Sequence, residues 1–501
     1  MRNLNDLWSQ AVTAFPNRPA VIHSGRAYTY CELDELIQAF GSNLRERLAV
    51  KPGDRLALMM PNCLHSIICY LGGVRVGAIA VPINVRLRAE EMRFVLEDSG
   101  ARTAVVHRSV WATVAEAVQD LASLEALIGV ELAAEGVTPV ETLLEPARCS
   151  PPCAGLPDDV AAIIYTSGTT GRPKGAMLTH GNVLFNMEAT IHGHGFRPED
   201  IHILAVPLFH VTGLNTVMST AFHQGATVVV TAGVAPTEIL ELIQRHRATT
   251  WFGVPTTMIL LAQVPDVRKC DLSSLRLIAY SGAPMPVRTI EQLRRLFPGV
   301  KLHNFFGLTE TTSCTSVLPD DQALIRPESI GLPVPGLEAK VVDDEGRDLP
   351  AGQVGELLIK GPSVFQGYHN RPEATAEAIV DGWFHTGDTA TIEEEGFIFL
   401  QGRKKEMIIV GGENVYPVEV ENVLTRHPAV AEAAVIGVPQ SVFGEVVKAV
   451  VVLRPGTEAG PWELKRYCAK RLASFKVPQV IEFRDALPRN PSGKVVKREL
   501  R

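Results

Sequence analysis

Tyr165-Thr166-Ser167-Gly168-Thr169-Thr170-Gly171-Arg172-Pro173-Lys174-Gly175 is the stretch on which the reading of this chain turns. Residues 161–165 are apolar and enter it as a strand. Glycines and hydroxylated side chains then let backbone N–H groups approach phosphate oxygens closely, and Lys174 adds compensating charge. The stretch is not a Walker A loop, which places Gly-Lys-Ser/Thr after four intervening residues. Here Lys174 follows Pro173 and precedes Gly175. By composition alone the same residues also read as a surface turn, so the rest of the chain must decide.

Outward from this loop the texture is that of α/β layers. Residues 20–23 and 55–59 read as short buried strands and residues 30–48 as an amphipathic helix. Downstream, strands at 203–206, 277–279 and 301–305 alternate with helices at 236–245 and 287–296. Residues 145–159 form a Pro- and Gly-bearing connection. From 331 to 402 short strands and Gly-rich turns suggest a β subdomain. Beyond 403 a helix at 417–424, strands at 430–437 and 445–453 and a helix whose apolar face carries Leu464, Tyr467, Cys468, Leu472 and Phe475 suggest a small α+β domain. The expected fold is therefore α/β: a large multi-layer N-terminal region with a β subdomain over 1–402, then a small mobile α+β domain over 403–501.

The 501 residues exceed what one compact core holds. A hydrophobic fraction of 46% and a net charge of −7 fit a globular protein and argue against a general nucleic-acid binder, which carries a basic surplus. No apolar run is long enough to span a bilayer, since Pro61, Asn62, His65 and Arg75 break the most apolar segment. The first residues lack the apolar core of a signal peptide. Eight cysteines with no CxxC pair read as reduced thiols, so a cytoplasmic location is expected.

Four further motifs follow the phosphate-type loop in a fixed order: Asn304-Phe305-Phe306-Gly307-Leu308-Thr309-Glu310, Trp383-Phe384-His385-Thr386-Gly387-Asp388, Gly402-Arg403-Lys404-Lys405-Glu406-Met407-Ile408 and Asn490-Pro491-Ser492-Gly493-Lys494. With 166–175 they resemble the adenylate-forming superfamily of acyl-CoA synthetases, luciferases and peptide-synthetase adenylation domains. Within it the chain looks most like the acyl-CoA synthetase branch, the fatty-acid and coumarate-type ligases.

The resemblance implies a reaction. A carboxylic acid attacks the α-phosphate of ATP to give an acyl-adenylate and pyrophosphate, and coenzyme A then takes the acyl group. It also implies roles. Thr166, Ser167, Gly168, Thr169, Thr170, Gly171 and Lys174 would cradle the phosphates. Glu310 would hold Mg²⁺, which as a hard cation suits a carboxylate and phosphate oxygens. Thr309 would donate to the α-phosphate. Asn304, Phe305, Phe306 and Gly307, with Gly282 and Ala283 opposite, would enclose the adenine. Asp388 would accept from the ribose hydroxyls, being acceptor-only when ionised. Arg403 would add a planar donor fork. Lys494 would reach the acid oxygen and the bridging phosphate oxygen, and Lys405 would be the hinge. Gly411, Gly412 and Glu413 would approach the pantetheine arm, with Phe475 stacking on the coenzyme A adenine or serving the core.

The acid pocket is implied by Pro207-Leu208-Phe209-His210-Val211-Thr212-Gly213. Amino-acid-activating relatives carry an aspartate where His210 stands, so a buried substrate ammonium would go unpaired and amino acids are disfavoured. His210 and Thr212 should line the acid channel. Gly307, where acetate-using relatives carry a bulky aromatic, should leave room for a medium- or long-chain or aromatic acid. The rival acceptor is a carrier protein's pantetheine, although a fused carrier module is not expected after Lys494. The rival of another class is an inactive nucleotide-binding scaffold, against which Lys174, Glu310, Asp388 and Lys494 all speak. An oligomer is compatible with the sequence.

Overall fold

The computed structural model describes residues 1–148, 150–166, 173–265, 267–283, 285–410, 413–440, 444–490 and 493–501, Lys405 for its backbone alone. The chain divides into two compact units. The first comprises Met1–Arg326, Gly331–Glu338 and Lys360–Phe384, and the second Pro327–Ile330, Ala339–Ile359 and His385–Arg501.

The first unit holds two sheets. One runs Gly367–Tyr368, Lys174–Thr179, Val160–Thr166, Ile79–Pro82, Arg55–Met59, Thr103–His107, Ala126–Val130 and Val137–Pro139. In the other, six parallel strands lie side by side in the order Pro19–His23, Thr227–Val230, Ile201–Leu204, Thr250–Gly253, Leu277–Tyr280 and Lys301–Phe306. Parallel strands covered on both faces read as continuous apolar runs rather than alternating ones. Thr227–Val230 and Leu277–Tyr280 are buried at every position. The helices Pro236–His246 and Val287–Leu296 supply part of the cover, sinking Ile239, Ile243, Ile290 and Leu293 into the same core as Trp251 and Tyr280.

Strand order reverses at Ile201–Leu204. The next strand in the chain, Thr227–Val230, lies on one side of it, and the following one, Thr250–Gly253, on the other. Such a reversal opens a crevice outside the carboxyl ends of the strands. The segments that leave those ends are the motifs at 205–213, 281–283 and 304–310. At the opposite, amino-terminal edge Asp200 ties the sheet together. It accepts from Arg276 Nε at 2.8 Å, from Arg276 Nη2, from Thr249 Oγ1 at 2.7 Å and from the Arg197 amide. Burial alone would raise the Asp200 pKa, but the bonds from Arg276 and Thr249 outweigh it and hold the carboxyl below its usual range.

In the second unit the strands Glu338–Val342, Gly355–Lys360, Trp383–Ile392 and Ile398–Arg403 follow one another across a sheet. A further sheet is built from Glu413–Val415, Ile408–Val410, Gly444–Leu453 and Val430–Gln440, with Val480–Phe483 parallel to Gly444–Leu453. Helices Pro417–Thr425 and Pro461–Ala469 each begin on a proline, whose fixed φ and missing N–H suit a first turn. They bury Val420, Leu424, Leu464 and Cys468 against the sheet. The helix expected to continue to Phe475 ends at Ala469 instead. Leu472 reaches the same core from the bend after that helix, and Phe475 from the separate turn Ser474–Lys476, which the Lys476–Glu419 ion pair at 2.7 Å holds in place. Among the described residues no helix is long and apolar enough to cross a membrane.

Three histidines of the first unit are buried with imidazoles pushed down to about 4, chiefly by desolvation: His180, His202 and His303. Their folded values lie below the unfolded one near 6.5, so the unfolded chain binds more protons in the interval between. The stability they confer is present above about pH 6.5 and is lost as pH falls toward 4. Urea midpoints measured from pH 7 to pH 4 should therefore decline. His202→Gln should make that decline shallower by up to about 1.4 kcal/mol per pH unit, the linkage slope of one proton.

Candidate active site

In the first unit the loop after the strand Lys301–Phe306 is folded back on itself. Thr312 and Ser313 sit consecutively at φ of 62° and 121°, a region that non-glycine residues enter only when their surroundings impose it. Here the surroundings do so. Asn186 Nδ2 donates to the carbonyls of Thr311 and Cys314, and Asn215 Nδ2 to that of Thr312. Thr216 donates to the Ser313 hydroxyl at 2.7 Å, and the Thr312 hydroxyl to the Ser363 carbonyl at 2.7 Å. The turn presents Thr309 and Glu310, both part-exposed, on its outer side.

The segment that follows Ser363 runs past this turn and binds it twice more. The Phe365 amide donates to the Glu310 carbonyl at 2.8 Å, and the Tyr368 hydroxyl donates to Glu310 Oε1 at 2.8 Å. Lys174, first residue of the strand leaving the phosphate-type loop, places Nζ over the Tyr368 ring, 5.0 Å from its centre. The base of that loop is a hairpin in which Tyr165 pairs with Gly175 and Thr166 with Lys174. Asp98 secures it, accepting from the Tyr165 hydroxyl at 2.8 Å and from Arg371 at 2.6 Å. Lys174 and Glu310, 136 positions apart in the sequence (310 − 174), thus meet on one aromatic side chain.

Asn304 and Phe305 are buried, whereas Phe306 is part-exposed. Phe305 packs edge-on against His194 and Phe252 in the core, so its ring belongs to the interior. Gly282, at φ 89°, and Ala283 are exposed after the strand Leu277–Tyr280. His210 is part-buried with its ring against Phe209. Thr212 opens a helical stretch, Thr212–Ser219, wound more widely than an α-helix, and its hydroxyl lies 3.4 Å from that of Ser313. Gly213 lets this stretch start directly against the preceding strand's end. A Cβ there would stand 2.4 Å from the Pro207 carbonyl oxygen.

Gly307 has a backbone reason besides the one expected for it. A Cβ would fall 1.3 Å from the Ser313 carbonyl oxygen, so a side chain here collides with the folded-back turn instead of projecting into open space. Close approach of backbone to backbone is thus one reason for a glycine at 307, beside the acid-size role expected for it.

In the second unit Asp388 and Arg403 are direct cross-strand partners. Arg403 Nε lies 2.6 Å from Asp388 Oδ1, and Nη1 donates to the Thr386 carbonyl at 3.1 Å. Asp388 is 6% exposed, deep enough for this pair to be little screened. Lys494 is exposed at the end of a tight hairpin, where its amide donates to Asn490 Oδ1 at 2.9 Å and Arg489 pairs with Val495. The backbone of Lys405 lies in the turn Lys404–Glu406, and Glu413 is exposed at the head of its strand. Ser167, Gly168, Thr169, Thr170, Gly171, Gly411 and Gly412 lie outside the described residues.

A family model described as AMP-binding enzyme matches residues 8–369, and one described as AMP-binding enzyme C-terminal domain matches residues 419–494. The chain belongs to the AMP-binding enzyme family. This AMP-binding enzyme is 39% identical over 486 residues to a feruloyl-CoA synthase of Amycolatopsis sp, covering 97% of this chain and 96% of the relative. It is 37% identical over 533 residues to a long-chain-fatty-acid–CoA ligase of Escherichia coli O6:H1, covering 100% and 94%. Among solved structures it matches the anthranilate CoA ligase AuaEII in complex with anthranoyl-AMP at a TM-score of 0.92 and 28% identity, covering 99% and 96%. The adenylate-forming resemblance and the α/β fold are thereby borne out.

Sequence reading missed Tyr368, Asn186, Asn215 and Asp98. None stands in a motif with its own chemistry. Their roles come from hydrogen bonds spanning 58 to 273 positions, to which local patterns are blind.

Gly307→Ala tests the backbone account. Overpacking against the Ser313 carbonyl should cost about 1–3 kcal/mol in urea denaturation and depress turnover with every acid alike. A changed ranking of acids in an otherwise stable variant would place Gly307 at the pocket wall.

Proposed function

We propose that this chain is an ATP-dependent acyl-CoA synthetase acting on a fatty or aromatic carboxylic acid. The observation that carries the reading is the meeting of Lys174 and Glu310 on Tyr368. The named relatives, a feruloyl-CoA synthase and a long-chain-fatty-acid–CoA ligase, support both acid classes. The seven described cysteines are all free, which fits a reducing, cytoplasmic compartment.

In the first half-reaction a carboxylate oxygen attacks the α-phosphorus of ATP and pyrophosphate leaves with the bond's electron pair. Charge gathers on phosphate oxygens in that transition state, so the chain's task is to supply cations and fixed donors there. Lys174 faces the outer phosphates, and Thr309 donates to the α-phosphate. Mg²⁺ binds through one or two carboxylates plus phosphate oxygens rather than an all-protein cage. The donor set fits this habit: Glu310 is part-exposed, and among the described residues no group of three or more His, Cys, Asp or Glu could hold a metal alone. When bound with the nucleotide, that cation would neutralise phosphate charge. Asp388 accepts from the ribose hydroxyls, and Arg403 keeps it aimed. Lys494 bonds the attacking and bridging oxygens.

In the second half-reaction the thiolate of coenzyme A attacks the acyl carbon and AMP leaves. Lys494 has no part in that step, so residues 403–501 turn about Lys405 to bring 411–413 to the thiol's path.

The test is acid-dependent ATP–pyrophosphate exchange over aliphatic and aryl acids, followed by thioester formation with coenzyme A. Lys494→Ala should lower exchange at least about 10²-fold and leave thioester formation from pre-made acyl-adenylate within about threefold, because its contacts belong to the first transition state. Equal losses in both halves would remove Lys494 from this role. Lys405→Pro, which fixes φ near −65° and removes a donor, should spare exchange and slow thioester formation in single-turnover experiments. The opposite pattern would move the hinge elsewhere.

A further inference from the structure

We infer that Tyr368 is a positioning residue that holds the metal-facing carboxylate of Glu310 and the phosphate-facing ammonium of Lys174 close together while keeping them from pairing. This rests on the nucleotide reading above and deepens it.

A lysine and a glutamate aimed at one triphosphate have an obvious alternative, which is to bind each other. A direct pair would cancel the charge each needs, and ATP would have to break it before binding. Among the described residues Lys174 and Glu310 form no ion pair. Instead the Tyr368 hydroxyl donates to Glu310 Oε1 at 2.8 Å, and Lys174 Nζ stands 5.0 Å from the centre of the same ring. A phenol donates a hydrogen bond without neutralising the carboxylate, and an aromatic face attracts an ammonium without a counter-charge. Both contacts fix position and spend neither charge.

Tyr368 is itself firmly placed. Gly367 and Tyr368 pair with Met177 and Ala176, on the strand that begins at Lys174. The next residue's amide donates to the Gly175 carbonyl at 2.7 Å, and the Phe365 ring packs edge-on against Tyr368 at 4.7 Å. The Phe365 amide also holds the Glu310 carbonyl, so the main chain of Glu310 is tied three residues before Tyr368, whose own strand pairs with the one that begins at Lys174.

The experiment is calorimetric titration of ATP into full-length protein, once with Mg²⁺ and once with EDTA, using Tyr368→Phe, Tyr368→Leu and Tyr368→Phe in a Glu310→Gln background. Tyr368→Phe keeps the ring and loses only the hydroxyl. It should raise Kd for ATP with Mg²⁺ about tenfold, the worth of a hydrogen bond to a charged group, and leave Kd in EDTA within about twofold. In the Glu310→Gln background it should change nothing further. Tyr368→Leu removes the separator, lets Lys174 close on Glu310, and should weaken ATP in EDTA as well, by about tenfold. Urea midpoints report whether each variant folds, and the two variants test the two contacts separately. The inference is overturned if Tyr368→Phe weakens ATP equally with and without Mg²⁺, if it leaves both within twofold, or if Tyr368→Leu binds ATP in EDTA as the wild type does. Absence of ATP binding by the wild-type protein would instead bring down the nucleotide reading on which this stands.

Discussion

A main-chain carbonyl, that of Ser313, folds back to within a carbon's width of Gly307, and most of what is legible in the first unit depends on that approach. It forces two consecutive residues, Thr312 and Ser313, into backbone conformations that cost of order 1–3 kcal/mol each. Buried asparagines on two helical segments, Asn186 and Asn215, satisfy the carbonyls thus exposed. The strain and the hydrogen bonds balance only if the turn is held from several directions at once. The result is a rigid platform from which Thr309 and Glu310 project.

The parallel sheet gives that platform its place. Asp200, Arg276 and Thr249 lock the amino-terminal edge through charge-assisted bonds in a buried setting. Loops at the carboxyl edge can therefore carry polar, strained or glycine-rich sequence without loosening the strands that present them. Gly213 and Gly307 follow the same logic at two strand ends: each lacks a Cβ because backbone occupies its place. Chemistry collects where the sheet's order reverses, the position at which neighbouring crossovers diverge and leave a crevice.

This organisation explains what the sequence disclosed. The helix at residues 30–48 could be read to the residue because a capping box, Thr29 with Glu32, starts it and Ala49 in a left-handed conformation ends it. The helix at 287–296 could be read from its apolar stripe. Motifs with fixed internal order betrayed the site. Contacts formed only after folding were not legible. Phe305 stands in the adenine-type motif beside Phe306, and strand geometry packs its ring against His194 and Phe252, which the local pattern does not show. The backbone approach that Gly307 makes to the Ser313 carbonyl has no counterpart in the local sequence. Phe475 has helical spacing from Leu464 but arrives by a separate turn, since Lys476 is drawn to Glu419. Periodicity records which residues are apolar, whereas partners far along the chain decide which way they face.

The two acidic residues of the proposed site are treated in opposite ways, and their duties account for it. Asp388 pairs directly with Arg403 at 2.6 Å. That arrangement suits an acceptor of neutral ribose hydroxyls: the guanidinium gives the buried carboxylate a partner, and an oxygen engaged by Arg403 retains lone pairs for a hydroxyl. Glu310 shares Tyr368 with the cation Lys174 and is held by the phenol. A carboxylate meant for a divalent cation on a triphosphate must deliver its full negative charge. An ion pair with lysine would oppose that charge at short range, where at an effective dielectric of about 20 it is worth roughly 4 kcal/mol. A hydrogen bond from a neutral donor orients the same oxygen at far smaller electrostatic cost. Arg403 and Tyr368 thus perform the same mechanical task, fixing a carboxylate, and their difference in charge matches the proposed reaction, in which one carboxylate addresses a neutral group and the other a cation.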